Sequence, residues 1–155
     1  RGLGDVYKRQ HQPCDVNALA TAALYHDASE ILTGDLPTPI KYHNAEIMSA
    51  YHAVEDLAVQ KLLGMLPPEL RATYADVLAE DKGGSIYPLV KAADKLSAYI
   101  KCIEERKAGN NEFLSAEAQT RAALDASPLP EVQYFLEHFI PAFERDLDEL
   151  GAIGQ

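Results

Sequence analysis

The chain has 155 residues, 47% of them apolar and 25% charged, with a formal net charge of -10. That is the size and balance of about one soluble domain able to bury its own core, and its acidity excludes a generic nucleic-acid polymer or anionic membrane surface as partner. No apolar run reaches the roughly 18 residues that cross a bilayer, and no signal-peptide pattern opens the chain. Cys14 and Cys102 stand alone, as two reduced thiols of a cytoplasmic protein would.

The first ten residues, RGLGDVYKRQ, carry net +2 and show neither helical nor strand periodicity. They read as a non-native junction segment, leaving residues 11–155 as a single domain whose first helix or helices lie upstream. Asp15 predicts an N-cap for a helix from about Val16 to Leu32, whose apolar positions Val16, Leu19, Ala20, Ala23, Leu24 and Ile31 follow helical spacing. Gly34 closes it, and two prolines keep Asp35 to Pro39 from being helical throughout. Asn44 caps a long helix to about Met65, with Ile47, Met48, Tyr51, Val54, Leu57, Ala58 and Leu62 on one face. Pro67-Pro68 start a shorter helix through Leu78, and Asp81 to Ser85 reads as a linker around Gly83-Gly84.

A strongly apolar helix follows from about Tyr87 to Lys107 and ends at Gly109-Asn110. Another spans about Glu112 to Ala126, before Ser127-Pro128-Leu129-Pro130. The last, from about Glu131 to Leu150, carries Phe135, Leu136, Phe139, Ile140, Phe143 and Leu147, with a kink expected at Pro141. With no alternating β segment and no internal repeat, the fold class is all-α, a single bundle of about six helices.

Chemistry concentrates in Leu24 to Thr38. His26 and Asp27 adjoin on an otherwise apolar helix, where an ionised Asp turned inward demands a cation or hydrogen bonds. Imidazole with carboxylate suits divalent Mn, Fe, Co or Zn. Glu30 follows one turn along the same face, and Asp35 sits in a loop opened by Gly34 and braced by Pro37 and Pro39. A bare His-Asp dipeptide is most often a capping or ion pair. The second half of the signal is Asp94, 67 residues after Asp27, within Lys91-Ala92-Ala93-Asp94-Lys95-Leu96. Its neighbours Val90, Ala93, Ser97 and Ile100 predict that Asp94 faces inward, and one metal would serve both aspartates. Helical solvation is the ordinary role of Lys91, Lys95 and Lys101, with approach to a phosphate as the alternative for Lys91 and Lys95. His43, His52 and His138 read as background, and Tyr134, Phe135, Phe139 and Phe143 as core aromatics.

A His-Asp pair followed by a distant K-x-A-D-x-L helix resembles the HD superfamily of metal-dependent phosphohydrolases. More closely, YHDASEILTGDLPTPIKY, KAADKLSAYIKC and EERKAGNNEF resemble the bacterial 5'-deoxynucleotidase family (YfbR-like), from about residue 15 to the last helix. The resemblance implies a phosphomonoesterase that removes the 5'-phosphate of deoxyribonucleoside monophosphates with a divalent cation such as cobalt or manganese. It implies His26, Asp27 and Asp94 as metal ligands and Asp27, Asp94 and Asp35-Leu36-Pro37-Thr38 as substrate-contacting positions. Glu30 matches the carboxylate given an acid/base role, and Asp35 is a second carboxylate placed to move a proton. A homodimeric, cytoplasmic enzyme is the form it implies. The family pattern adds an upstream histidine ligand, a phosphate-orienting arginine and a tryptophan. This chain has no Trp, and His11 lies only 15 residues before His26, on a connection. Another HD hydrolase, acting on nucleoside triphosphates, cyclic nucleotides or alarmones, is the alternative, as is a nucleotide- or metal-binding fragment that has lost turnover. Released phosphate against pyrophosphate over a substrate panel, and metal analysis of the purified chain, separate these.

Overall fold

In a computed structural model the described residues are 14–37, 40, 43–78, 83–146 and 149. Residues 1–10, expected to be a junction segment, lie outside them with His11, Thr38 and Pro39, as does part of the Asp81 to Ser85 stretch. The helices with described bounds are α1 Val16–Tyr25, α2 Glu30–Thr33, α3 Ala45–Met65, α4 Pro68–Leu78, α5 Tyr87–Lys107, α6 Leu114–Asp125, α7 Pro130–His138 and α8 Ile140–Glu144. The described residues contain no strand, and these helices are the six predicted ones, two of them interrupted.

The caps match their sequence signals. The Asp15 carboxylate accepts from the amides of Asn17 and Ala18, both at 3.0 Å, and the Asn44 side chain accepts from Ile47 at 2.8 Å. Gly109, at φ 86°, ends α5 in a Schellman turn. Its amide donates to Arg106 O and the Asn110 amide to Glu105 O, at 3.0 and 2.9 Å. The Asn110 side chain then donates to Glu105 at 2.8 Å and accepts from the Glu112 amide at 3.1 Å. Asn110 and then Lys101 hold the Glu105 carboxyl below its usual range. The EERKAGNNEF stretch is thus the corner that turns α5 into α6.

Two predicted helices are broken. The first stops at Tyr25, and the amides of Ala28 and Glu30 bond three residues back, to Tyr25 O and Asp27 O, which winds residues 26–29 too tightly for an α-helix. The last stops at His138 and restarts at Ile140. Pro141, in the first turn of α8, has no amide to give to the turn before it.

The described chain divides into two compact units, Thr21–Gly84 and the remainder, with the division falling inside α1. The remainder holds the main core. One stripe of α5 (Ala92, Leu96, Tyr99 and Ile103) packs against Leu124 of α6, Val132 and Leu136 of α7 and Ile140 of α8. Arg106 ties the edge of this core together. Its Nε donates to both Glu117 oxygens at 3.0 and 3.1 Å and an Nη to Glu144 at 2.8 Å. These bonds raise the guanidinium above its ordinary value. Burial, then the Glu117 and Glu105 carboxylates, push the Cys102 thiol up. Phe139 and Phe143, predicted as core, are largely exposed, because the break at Phe139 turns them off the buried stripe.

The Thr21–Gly84 unit is thinner. α3 packs with α2 and α4, but of its predicted apolar face only Ala58 is buried, while Val54 and Leu57 stay exposed. Leu24 and Ile31, at 82% and 77% exposure, also lie open. Among the described residues no helix is long and apolar enough to cross a membrane. Ile103 has no exposed surface, so Ile103→Ala is expected to remove about 2–5 kcal/mol of stability in urea unfolding. Leu24→Ala should change it by less than about 0.5 kcal/mol.

Candidate functional site

His26 and Asp27 occupy the tight turn between α1 and α2. The residue before them is anchored by an edge-to-face contact of Tyr25 on Tyr74 of α4, ring centroids 6.1 Å apart. Hydrogen bonding to Tyr74, its charge and burial raise the Tyr25 phenol. His26 is mostly buried, with 14% of its side chain exposed, whereas Asp27 is open at 52%. His26 Nδ1 lies 2.9 Å from Ala23 O, and Nε2 lies 3.0 Å from Asp27 Oδ2.

That geometry carries chemical information. A carbonyl oxygen only accepts, so the contact at Ala23 puts a proton on Nδ1 and directs the Nε2 lone pair at the Asp27 carboxylate. Two lone-pair donors so close repel unless a positive charge lies between them, either a second proton on the ring or a metal cation. A neutral imidazole with its Nδ1–H held by a carbonyl is the form in which histidine ligates a metal through Nε2. The donors fit a divalent transition metal.

The sequence placed Glu30 on the continuing helix. Instead it opens α2 after the turn, half-buried, with its amide bonded to Asp27 O at 2.9 Å. Its carbonyl accepts from the Gly34 amide at 2.9 Å. Gly34 has φ 70° and ψ 166°, a conformation open essentially to glycine alone. Its carbonyl accepts from the Thr33 hydroxyl at 2.9 Å and, more weakly, from Tyr51 at 3.5 Å. The chain therefore leaves α2 sharply, with Asp35 exposed, Leu36 half-buried and Pro37 exposed. Thr38 lies outside the described residues.

Asp94 corrects an expectation. It was predicted to face inward; it is exposed, as are Ser97 and Ala98. The core stripe of α5 runs through Leu89, Ala92, Leu96, Tyr99 and Ile103, and helical geometry puts Asp94 on the other side. There it lines the edge of a cavity of about 390 Å³ between α5 and the turn joining α6 to α7. Lys91, Lys95, Ser127 and Pro128 line the same cavity. Sequence reasoning gave the two lysines solvation as their ordinary role, with approach to a phosphate as the alternative, and passed over Ser127. The available signal was their spacing of one turn beside Asp94, opposite a proline-braced turn. Two further histidines make local contacts: His52 pairs with Glu55 at 2.8 Å, and His138 packs against the Tyr134 ring.

The model of the YfbR-like 5'-deoxynucleotidases matches residues 3–143. The chain belongs to this family. It is 51% identical over 140 residues to the 5'-deoxynucleotidase YfbR of Shigella flexneri serotype 5b (strain 8401), covering 88% of this chain and 70% of that protein. It is 50% identical over the same extent to the 5'-deoxynucleotidase YfbR of Escherichia coli (strain ATCC 8739). Among solved structures, an HD-domain phosphohydrolase from Listeria innocua is similar, with a TM-score of 0.75 and 25% identity, covering 94% of this chain and 71% of that one.

The turn at Gly34 sets the direction in which Asp35 to Pro37 leave α2. An added Cβ would meet nothing within 4 Å there, so only the backbone opposes it. Gly34→Ala is expected to cost about 1–3 kcal/mol in urea unfolding and to depress turnover more than the loss of folded protein explains, measured at a temperature where the variant is fully folded.

Proposed function

We propose that the chain is a metal-dependent phosphomonoesterase that removes the 5'-phosphate from deoxyribonucleoside 5'-monophosphates. Half-identity to the curated 5'-deoxynucleotidases over 88% of the chain is the observation that carries this reading, and the HD-domain neighbour supports it. His26, Asp27 and Asp94 are the ligands from this chain for a divalent cation, cobalt or manganese. The pinned Nδ1 of His26 supports its part, and the exposure of Asp27 and Asp94 suits carboxylates that serve a bound ion rather than a core. When bound, the cation neutralises phosphoryl charge and makes a water acidic enough to attack at neutral pH.

The chain's own groups do the rest. Asp27, Asp94 and Asp35-Leu36-Pro37-Thr38 contact the substrate, with the Gly34 turn holding the last segment in place. Glu30 and Asp35 move protons, one taking a proton from the attacking water and the other giving one to the departing 5'-oxygen. Selection of deoxyribose over ribose rests on a wall that leaves a 2'-hydroxyl without room or a partner. The enzyme works in the cytoplasm as a homodimer; exposed Val54, Leu57, Met65 and Leu70 supply apolar surface for a second copy.

His26→Ala and Asp94→Ala are each expected to abolish phosphate release from dAMP, measured as inorganic phosphate with Co²⁺ or Mn²⁺ present. Turnover retained by either variant sinks the ligand assignment. A chelator should silence the parent protein and either cation should restore it. Light scattering on the eluting protein should give twice the chain mass; a monomer mass removes the homodimer.

A further inference from the structure

The His26-Asp27 turn has little of its own to keep it in place. Its backbone bonds run three residues back, a geometry poorer than that of the α-helix. Leu24 before it and Ile31 after it leave 82% and 77% of their surfaces open. His26 is nevertheless mostly buried, with Nδ1 2.9 Å from Ala23 O, so the last turn of α1 holds one rotation. Helix ends fray when nothing outside the helix restrains them.

Tyr25 is where the restraint enters. It closes α1, and its carbonyl accepts from the Ala28 amide at 3.0 Å, the first bond of the tight turn. Its ring meets that of Tyr74 on α4 at 83°, with centroids 6.1 Å apart, the edge-to-face arrangement that ring quadrupoles favour. A residue whose side chain is held in this way cannot rotate about the helix axis, so its carbonyl keeps its direction too. α4 is itself tied down. Arg71, one turn before Tyr74, donates from Nε to Leu66 O at 3.0 Å and from Nη2 to Gly64 O at 3.3 Å. Those carbonyls stand at the end of α3, where a helix leaves its last acceptors open. Restraint therefore passes from α3 through Arg71 to α4, and from Tyr74 to Tyr25 and the turn.

We propose that Tyr74 is a positioning residue for the metal ligands His26 and Asp27, acting through Tyr25 to fix the end of α1 and with it the direction of the His26 Nε2 lone pair. The proposal rests on the metal-dependent phosphomonoesterase reading, since that supplies the cation. Tyr74 lies 48 residues after His26 (74 minus 26), so no local pattern connects them. The ring does the holding rather than the phenol. The two hydroxyls also hydrogen-bond, but both side chains are only half-buried, and water can replace such a bond. A tyrosine that served the fold alone would lower the unfolding temperature and leave the metal affinity of the folded chain as it was.

The test uses the full chain with Tyr74→Ala, Tyr74→Phe and, as the loss-of-ligand reference, His26→Ala, each at a temperature where it is fully folded. Should Tyr74→Ala not fold, Tyr74→Leu, which keeps apolar bulk without a ring edge, takes its place. Mn²⁺ binding is measured by calorimetry, and kcat and KM for dAMP at saturating Mn²⁺ are measured alongside. Tyr74→Ala should weaken Mn²⁺ binding about tenfold, the effect of losing a group that orients a ligand, and should lower kcat more than it raises KM. Tyr74→Phe should stay within about threefold of the parent. Tyr74→Ala that binds Mn²⁺ as the parent does overturns the proposal. So does Tyr74→Phe that falls as far as Tyr74→Ala, or Mn²⁺ binding that survives His26→Ala. Mn²⁺ binding that weakens in Tyr74→Ala, in a parent that releases no phosphate from dAMP, keeps the positioning role and removes the deoxynucleotidase reading. Metal-dependent turnover of dAMP with Mn²⁺ affinity unmoved in Tyr74→Ala does the reverse, and a parent that binds no Mn²⁺ removes both.

Discussion

α5 is the element on which the rest depends, because it must satisfy two opposite demands. One side is a continuous apolar stripe from Leu89 to Ile103 that three further helices cover. The other carries Asp94 in the open. A carboxylate cannot serve both sides: inside the stripe it would lose its hydration without a partner, and outside it keeps its contact with solvent. Burial of the stripe sets the rotation of the helix, and that rotation sets where Asp94 and its flanking lysines point.

The ends of α5 are fixed by different chemistry. At the C-terminal end the Schellman turn at Gly109 and the Arg106 links to Glu117 and Glu144 hold α6 and α8 against it. At the N-terminal end the Ser127–Pro130 turn stands opposite Lys91 and Lys95, anchored by Gln133. In the Thr21–Gly84 unit the equivalent work falls to backbone hydrogen bonds: the tight turn at 26–29 and the left-handed Gly34 position the His-Asp pair and Asp35 with little buried apolar surface.

Much of this was legible in the sequence for local reasons. Asp15, Asn44, Pro68 and Gly109 each mark a helix end through a backbone group they satisfy or cannot supply. Such signals act within four residues and survive without tertiary context. The spacing of Leu89, Ala92, Leu96, Tyr99 and Ile103 likewise announced a helix with one buried side.

The chain therefore determined by itself its all-α class, the positions of six helices and the residues that identify its family, because each depends on local bonding or on residue identity. Tertiary structure decided which way those residues turn. His26 leaves the helix because i to i−3 bonds and the Ala23 carbonyl outcompete the regular ladder. Asp94 faces outward because both its flanks are apolar enough to be core, and only packing against α6 and α7 chooses between them. The cavity at Lys91 and Lys95 exists only once residues 127 and 128 are brought opposite α5, a distance along the chain that no periodic pattern reports.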